Sequence, residues 1–367
     1  MEHRIHIISK LDLGGAERVA LNLCKLKQTG VKYHLYGVFK SQSEFSANFI
    51  REAKDNGIIV HQGWVSNRKL SIMLFPFSFL LTFLRFKPSI IHVHTELPDL
   101  AVYLFYKLFG FLCKKTLLVR TIHSTKLWTG WGKIGEKVEL HYLKRKHSIA
   151  ISETVKQSYE QRFHTSGIPL IYNGVDEVQQ EPYTEIIPGK INILFAGRLS
   201  REKGIDVLIR IISHFQHDSR FCFHIIGSGE YESELQKNIG GAENVKLKAK
   251  VYGLSKYLGS FDYMLIPSQF EGFCLMSLEA SLAKTPCIIN DSPGLRDTLP
   301  SDWSLKVKDN NINEYISLLS KLAENVDEKI IQGVKAYHFV KSGLSIEKMQ
   351  QNYEGLYIAW MKYIKKY

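Results

Sequence analysis

The 367-residue sequence predicts an α/β protein made of two doubly wound domains, each with a parallel sheet covered by helices. Two observations carry this prediction. Short apolar strands alternate with helical segments in both halves, and a polar segment rich in Pro and Gly separates the halves. The length suits two domains of ordinary size, and 45% apolar with 23% charged residues excludes a disordered or low-complexity chain.

The first half opens with a strand, a glycine turn and a helix. Ile5–Ser9 is apolar, Gly14-Gly15 forms the turn, and Ala16–Leu26 has apolar residues at helical spacing. Further strands are expected later in this half, with helices between them. These strands are Tyr33–Phe39, Ile58–His61, Ile90–His94 and Leu117–Ile122.

The same alternation restarts after the polar segment, which predicts a second domain of the same kind. We expect a first domain at 1–176, a linker at 177–190, a second domain at 191–348 and a terminal helix at 349–367, for which composition leaves the packing partner open. The expected strands are Ile191–Ala196, Phe221–Ile226, Tyr263–Pro267 and Pro286–Asn290, and the expected helices are Ile205–Phe215 and Gly272–Ala283.

Positive charge is concentrated in the first half. The chain has a net charge of +12, and residues 1–184 contain 25 Lys and Arg against 15 Asp and Glu. A basic half predicts an anionic partner, either nucleic acid, acidic lipid or a phosphorylated substrate, and a merely solvated basic face is the alternative. The five cysteines include no CxxC pair, so a reducing compartment is expected rather than a metal cluster or a disulfide framework.

One segment raises the question of a membrane. Residues 1–10 lack the apolar core of a signal peptide. Leu70–Phe86 is largely apolar over 17 residues, but Pro76 interrupts it and cations flank it. A spanning helix needs about 20 apolar residues. We therefore expect a buried or interfacial helix rather than a span.

Two carboxylates in the second half are candidates for ligand binding. Glu271 is expected in a loop after a strand, and Glu279 about two turns into the next helix. The amides of Phe273, Cys274 and Leu275 would be unpaired at that helix start and would suit phosphate oxygens. Two ordinary surface glutamates, one of them capping a helix, are the alternative.

A second candidate site follows the first strand of this half. Arg198 and Lys203 lie in a loop bounded by Gly197 and Gly204, where two cations would neutralise a diphosphate. A solvated basic loop is the alternative. Gly227 ends the next strand and would let the backbone approach a ligand, although Gly-Ser-Gly is equally a plain turn.

In the first half, Gly14 and Gly15 would bring the backbone and a helix N-terminus close to an anion. His92 and His94 close one strand on the same face, and His123 follows the next strand. Histidines at the carboxyl ends of neighbouring strands are candidates for a ligand crevice. Buried core histidines are the alternative; a metal pair lacks a clear carboxylate partner, so no metal is expected.

In this order the motifs resemble the family 4 retaining glycosyltransferases. The series runs Gly-Gly-Ala-Glu, a His-rich strand end, Thr-Ile-His-Ser, Asn-Gly-Val-Asp, Gly-Arg-x4-Lys-Gly, Gly-x-Gly and Glu-x7-Glu. The resemblance extends from Gly14 to Asp297 and is strongest over Asn173–Glu279. It implies two Rossmann-like domains facing across a cleft, the glycosyltransferase-B fold, with the terminal helix returning to the first domain.

The resemblance also implies roles for matched positions. Arg198 and Lys203 would bind the donor diphosphate, Glu279 the ribose and Glu271 the donor sugar, while His123 would approach that sugar. His94 and Glu96 are acceptor-side candidates. The implied catalytic residues are His123, Arg198, Lys203 and Glu271. The donor-binding set is Gly14, Gly15, Gly197, Arg198, Lys203, Gly227, Glu271, Gly272, Phe273, Cys274, Leu275 and Glu279.

The implied function is transfer of a sugar from a nucleotide-sugar, with a UDP-sugar expected, to a lipid-linked or polysaccharide acceptor in surface-polysaccharide biosynthesis. The enzyme would need no cofactor or metal and would act in the cytoplasm, at the anionic inner face of the cell membrane. A hydrolase, epimerase or phosphorylase on the same fold is one alternative. A basic nucleic-acid-binding protein is another, although the sequence has no recognised nucleic-acid motif, so no such partner is expected.

Overall fold

The computed structural model describes residues 1–130 and 132–364, which form two compact units. One unit contains Met1–Asn173 and the chain from Ile346 onward, and the other contains Gly174–Ser345. The chain thus crosses into the second unit at the Asn173–Gly174 step and leaves it three residues before the expected boundary at 348.

The first unit has a parallel six-stranded sheet with the strand order β3-β2-β1-β4-β5-β6. Its strands are β1 (Glu2–Lys10), β2 (Val31–Phe39), β3 (Ile59–Gln62), β4 (Ile90–His94), β5 (Leu117–Ile122) and β6 (Ser148–Ala150). Its helices include α1 (Gly15–Cys24), α2 (Glu44–Asp55), α3 (Arg68–Phe86), α4 (Glu96–Phe109), α5 (Gly132–Leu143) and α6 (Glu153–Arg162). Apolar strands buried on both faces are what a parallel sheet requires.

The second unit repeats this topology with the order β12-β11-β10-β7-β8-β9. Its strands are β7 (Ile191–Arg198), β8 (Phe221–Ser228), β9 (Val245–Lys248), β10 (Tyr263–Ile266), β11 (Cys287–Asn290) and β12 (Lys306–Val307). Its helices include α7 (Ile205–Phe215), α8 (Glu232–Ile239), α9 (Leu275–Leu282), α10 (Ile312–Glu324) and α11 (Val326–Gly343). The predicted α/β fold with two parallel sheets is confirmed. Strands β6 and β12 are too short to stand out from the sequence, and β9 lacks an apolar run, since Val245 is the buried residue among its four.

In both sheets the strand order changes direction at one point, between β1 and β4 in the first and between β7 and β10 in the second. Connections leave such neighbouring strands toward opposite faces and open a crevice at their carboxyl ends. The loops after these four strands are therefore where ligand-binding residues are sought.

The segment expected as a linker, 177–190, packs on the second unit. Tyr183 is buried in the core of that unit, and its backbone amide donates to Ser260 Oγ over 2.9 Å. The amide of Glu181 also donates to the Lys256 carbonyl over 2.7 Å. The aromatic side chain of Tyr183 explains the difference, because burying it outweighs the preference of the surrounding Pro and Gly residues for an open linker.

The last helix, α12 (Ile346–Ile364), packs on the first unit, and residues beyond 364 lie outside the described part of the chain. Glu354 forms an ion pair with Arg4 of β1. Tyr357 and Tyr353 are buried, and their hydroxyls lie 2.6 Å from His92 Nδ1 and 3.0 Å from Thr121 Oγ1. The helix therefore covers the middle strands of the first sheet.

Helix α3 is continuous through Pro76, and one of its faces is buried. By length and composition this 19-residue helix is apolar enough to cross a membrane, but 39% of its apolar window is buried within the protein. Phe75 and Phe79 pack edge-on against Tyr36 of β2, with ring centroids 5.4 Å apart in both pairs. The helix thus packs against the first sheet, as expected for a buried or interfacial helix.

Candidate active site

The crevice at β7 and β10 in the second unit contains an ion pair. Lys203 Nζ lies 2.5 Å from Glu271 Oε1, and the side chains are 31% and 11% exposed. Burial disfavours the ammonium, yet the carboxylate of Glu271 outweighs burial and raises the pKa of Lys203. The two residues come from loops after different strands, so the fold brings together two motifs that are 68 residues apart.

Backbone hydrogen bonds fix the loop that carries Glu271. The amide of Glu271 donates to the Pro293 carbonyl over 3.0 Å, and the amide of Gln269 donates to the Glu202 carbonyl over 2.9 Å. The hydroxyl of Ser292 donates to the Ser268 carbonyl over 2.9 Å. The loops after β7, β10 and β11 are therefore joined by hydrogen bonds, and the carboxylate of Glu271 is preorganised for ligand binding.

Two glycines make these close approaches possible. Gly204 has φ +72° and Gly294 has φ +75°, a region that side chains rarely adopt. A Cβ on Gly204 would lie 2.0 Å from the carbonyl oxygen of Pro267, and a Cβ on Gly294 would lie 2.0 Å from that of Glu271. Neither glycine was predicted as a site residue, although Gly204 bounds the loop of Arg198 and Lys203 and is the N-cap of α7.

The start of α9 differs from the expected one. The helix begins at Leu275 with Cys274 as its N-cap, so Phe273 and Cys274 precede the helix. Glu279 consequently lies about one turn into the helix rather than two, and its side chain is partly exposed. Cys274 has extended backbone angles, φ −82° and ψ 97°, so the helix begins only at the residue after it.

Four further positions of the donor-binding set lie on or beside these loops. Gly272 is partly exposed, and Cys274 is a buried thiol whose pKa burial raises to about 12. Arg198 is exposed at the end of β7, and within residues 1–130 and 132–364 its side chain has no carboxylate partner. Gly197 precedes it in the same strand.

Gly227 serves packing rather than an open approach to a ligand. A Cβ on Gly227 would lie 1.9 Å from the carbonyl oxygen of Gly197, and a Cβ on Gly229 would lie 2.2 Å from that of Leu199. The ends of β7 and β8 are thus packed backbone to backbone. Glycine is required at both ends of the Gly-Ser-Gly turn because the neighbouring backbone leaves no room for a Cβ.

In the first unit, Gly14 is the N-cap of α1 and Gly15 its first helical residue. On the other side of the crevice, Thr95 has φ +72°, which is uncommon for a residue with a β-branched side chain. Its Oγ1 lies 3.1 Å from Ser9 Oγ at the end of β1. A strained residue at the point where strand order changes marks this crevice as a candidate binding site.

Histidines form a chain beneath this crevice. His6 Nδ1 lies 3.1 Å from His94 Nε2, and His94 Nδ1 lies 3.1 Å from His123 Nε2. His94 is 0% exposed, so it holds the ring of His123 and does not itself reach an acceptor. His123 is partly exposed, and burial lowers its pKa to about 3, which leaves the ring neutral at physiological pH.

A metal site is the competing interpretation of these histidines. Ring nitrogens of His6, His92 and His94 lie within 4.8 Å of one another. Both nitrogens of His94 face other histidines, and those of His92 lie 2.6 Å from Tyr357 OH and 2.7 Å from Thr121 Oγ1. Binding an ion would break these contacts, so the geometry favours a hydrogen-bonded core.

Glu96 follows His94 and lines a cavity of about 390 Å³ in the first unit. Burial raises the pKa of Glu96. The cavity is also lined by Arg68, Lys69 and Lys126, three cations that were not predicted as site residues. Of the two acceptor-side candidates, His94 is buried, whereas Glu96 lines a cavity.

The wall of this cavity rests on a buried ionic network. Trp128, with φ +58°, donates from Nε1 to Glu139 Oε1 over 2.5 Å. Arg120 donates to both oxygens of Glu139 over 2.6 and 2.8 Å, and its Nε lies 2.7 Å from Asp99 Oδ2. Burial raises the pKa of Asp99 to about 8, whereas Arg120 outweighs burial at Glu139 and lowers the pKa of that carboxyl group. This network was not predicted from the sequence.

Solved structures identify the class of fold. Anabaena HepE, crystallised with UDP and glucose, matches with a TM-score of 0.80 at 15% identity, covering 98% of this chain and 100% of that one. TarM of S. aureus matches with a TM-score of 0.77 at 15% identity, covering 97% and 100%. Two parallel six-stranded sheets in this arrangement of strands define the glycosyltransferase-B fold.

The sequence comparisons identify the family. Residues 13–179 match the model "Glycosyltransferase Family 4", and residues 190–325 match "Glycosyl transferases group 1". The chain therefore belongs to the family 4 glycosyltransferases, as the motif resemblance predicted.

Two curated relatives support this assignment. A glycosyltransferase of Methanocaldococcus jannaschii is 28% identical over 49% of this chain and 53% of its own length. The O-antigen biosynthesis glycosyltransferase WbnH of Escherichia coli is 25% identical over 46% of this chain and 48% of its own length. The chain thus spans about half the length of these relatives in the matched regions.

Proposed function

We propose that this enzyme transfers a sugar, with retention of anomeric configuration, from a UDP-sugar to a lipid-linked or polysaccharide acceptor in surface-polysaccharide biosynthesis. The pair of Lys203 and Glu271, fixed at the point where the strand order of the second sheet changes, carries the proposal. HepE and TarM, whose folds are similar, were crystallised with UDP, and one relative acts in O-antigen biosynthesis.

The second unit is proposed to bind the donor. Lys203 and Arg198 supply two cations to the diphosphate, and the first-turn amides of α9 add donors. Glu271 holds hydroxyls of the sugar, and Glu279 holds the ribose of the nucleotide. The backbone at Gly197 and Gly272 is proposed to lie close to these groups, and the buried Phe273 and Cys274 are proposed to complete the donor site.

In the first unit, Gly14 and Gly15 are proposed to face a phosphate through the N-terminus of α1. His123 is proposed to contact a sugar hydroxyl. Its Nε2 faces His94, so Nδ1 is the nitrogen left for a substrate, and the neutral ring acts as a hydrogen-bond partner rather than as a cation. Glu96 is proposed to contact the acceptor.

The proposed reaction breaks the bond between the anomeric carbon and the diphosphate and forms a bond to the acceptor oxygen. The acceptor proton passes to the leaving phosphate. Arg198, Lys203 and helix amides neutralise the charge that develops on that phosphate, so the chemistry needs no metal. The proposed place of action is the cytoplasmic, anionic face of the cell membrane, which the positive charge of residues 1–184 favours.

Thermal-shift measurements with UDP-, GDP-, ADP- and dTDP-sugars test the donor part, since a ligand that binds the folded protein raises Tm. UDP-sugars should raise Tm in the wild type and not in Glu279→Ala. Glu232→Ala, an exposed position on α8 of the same unit, is the control. No rise in Tm with any of these nucleotide-sugars would argue against the proposal. A rise with GDP-sugars instead of UDP-sugars would change the proposed base of the donor nucleotide.

The stereochemistry is tested by proton NMR of the product. Retention predicts that the anomeric proton of the transferred sugar keeps the coupling constant class of the donor. Inversion, or release of free sugar at the same rate with and without acceptor, would contradict the transfer reaction proposed here.

A further inference from the structure

The cavity in the first unit combines cations with apolar walls. Arg68 and Lys69, in the first turn of α3, are exposed at its rim together with Lys126. Ile72 and Trp128 also line it, and their side chains are 6% and 5% exposed. In the described part of the chain, neither Arg68 nor Lys69 has a carboxylate partner at ion-pair distance. Such a cavity suits an anionic group attached to an apolar one.

The outer face of α3 carries an apolar stripe that starts at the cavity. Its residues recur at intervals of three and four, which places them on one side of the helix. They are Leu70, Met73, Phe77, Leu81 and Leu84, exposed by 46%, 68%, 48%, 63% and 50%. Large exposed apolar side chains in a row are uncommon on a soluble surface and mark an interaction site.

We propose that the cavity binds the phosphate or diphosphate of a lipid-linked acceptor, and that the apolar chain of this lipid lies along the α3 stripe. Arg68, Lys69 and Lys126 neutralise the phosphate, and Trp128 and Ile72 contact the first carbons of the chain. This deepens the function proposed above, on which it rests, by choosing the lipid-linked acceptor over a free polysaccharide.

The cations at the ends of the α3 stripe, and the continuity of the stripe with the cavity, support a lipid-linked phosphate as the ligand. The rim of the stripe is basic at both ends, with Arg68 and Lys69 before it and Arg85 and Lys87 after it. Cations around an apolar stripe are typical of surfaces that meet anionic lipid. A second copy of this chain would bring the same cations against one another, which disfavours a dimer through this face.

Glu96 gives the cavity a group that is able to face the acceptor hydroxyl. It follows Thr95 at the end of β4, and it lines the same cavity as the three cations. An acceptor whose phosphate lies at Arg68 and Lys69 would therefore have its first sugar within the cavity, beside this carboxyl group.

Calorimetric titration of the full chain with farnesyl diphosphate, inorganic diphosphate and farnesol measures separately how the diphosphate group and the apolar chain contribute to binding. We expect farnesyl diphosphate to bind at least about tenfold more tightly than either half-probe, which corresponds to about 1.4 kcal/mol. Equal affinity of inorganic diphosphate would overturn the lipid part of the proposal. Equal affinity of farnesol would overturn the phosphate part.

Two variants locate the probe, each with a matched control. Arg68→Gln/Lys69→Gln should weaken farnesyl diphosphate at least about tenfold, whereas Arg51→Gln/Lys54→Gln on the exposed side of α2 should not. Met73→Gln/Leu81→Gln should reduce its affinity toward that of inorganic diphosphate. Ile330→Gln/Ile331→Gln, exposed on α11, should leave it unchanged.

The same variants distinguish this inference from the proposed function. The nucleotide-dependent rise in Tm should persist in Arg68→Gln/Lys69→Gln, which also shows that the variant is folded. Unchanged farnesyl diphosphate binding in that variant, with the nucleotide shift intact, overturns the inference alone. Sedimentation velocity showing that Met73→Gln/Leu81→Gln dissociates a dimer would overturn it in favour of a second copy.

Discussion

Lys203 Nζ and Glu271 Oε1 lie 2.5 Å apart, although 68 residues separate them in the chain. The pair balances one positive and one negative charge in a partly buried site. A donor diphosphate would compete with Glu271 for the ammonium and leave the carboxylate free to face sugar hydroxyls. The contact therefore joins the two halves of the proposed donor site.

Replacing Lys203 should lower the rate of sugar transfer. We expect Lys203→Ala to reduce kcat/KM by about a hundredfold, because the charge on the leaving diphosphate loses one cation. The matched control is Lys329→Ala, since Lys329 Nζ forms a pair with Asp262 Oδ1 over 2.6 Å in the same unit. Equal losses in both variants would show a structural effect rather than a role in the reaction.

Adding a methyl group at Gly227 should destabilise the second unit. The new Cβ would lie 1.9 Å from a backbone oxygen, which no side-chain movement relieves. We expect Gly227→Ala to cost about 1–3 kcal/mol and to lower Tm. Gly241→Ala, where nothing lies within 4 Å of the added Cβ, is the control measured beside it. An unchanged Tm for Gly227→Ala would mean that β7 and β8 are not packed as described.

Removing Glu139 should unfold the wall of the cavity in the first unit. Arg120 would lose both of its hydrogen bonds to Glu139 and stay buried with Asp99 alone, and breaking a buried ion pair costs about 3–5 kcal/mol. Thermal unfolding of Glu139→Ala should show this loss. Glu136→Ala, exposed on the same helix α5, should stay close to the wild type; a comparable loss there would refute the network's role.

The histidine chain should make the protein sensitive to mild acid. The pKa of His6 and of His123 is about 3 in the folded protein, below the ordinary 6.5. Below pH 6.5 the unfolded chain therefore binds protons that the folded protein excludes, and the free energy of unfolding falls by about 1.4 kcal/mol per pH unit for each such histidine. We expect Tm to fall between pH 7 and pH 5.

This pH dependence is tested by replacing one member of the chain. His94→Gln removes a histidine whose pKa burial lowers well below its ordinary value, so the fall of Tm toward pH 5 should be shallower. His338→Gln, exposed on α11, is the control and should keep the wild-type slope. If Tm fell equally steeply with falling pH in His94→Gln and in the wild type, the predicted destabilisation by the buried histidines would be contradicted.

Much of the fold could be predicted because its signals are local. Alternation of apolar strands and helices predicted both sheets, and the glycine and strand-end motifs located the loops that carry Arg198, Lys203 and Glu271. Short strands such as β6 and β12 gave no signal, since two or three residues cannot show a period. The start of α9 was misplaced because local composition does not show that Cys274 is extended and forms the N-cap of the helix.

The sequence by itself determined the class of fold, the family and the residues that end each strand. Only the tertiary structure decided which of them meet: Lys203 with Glu271, His94 with His123, and Trp128 with Glu139. It also placed His94 out of reach of solvent and aligned Arg68 and Lys69 with Lys126 around one cavity. The physical reason is that burial and charge pairing depend on groups far apart in the chain, whereas periodicity and turn chemistry act between neighbours.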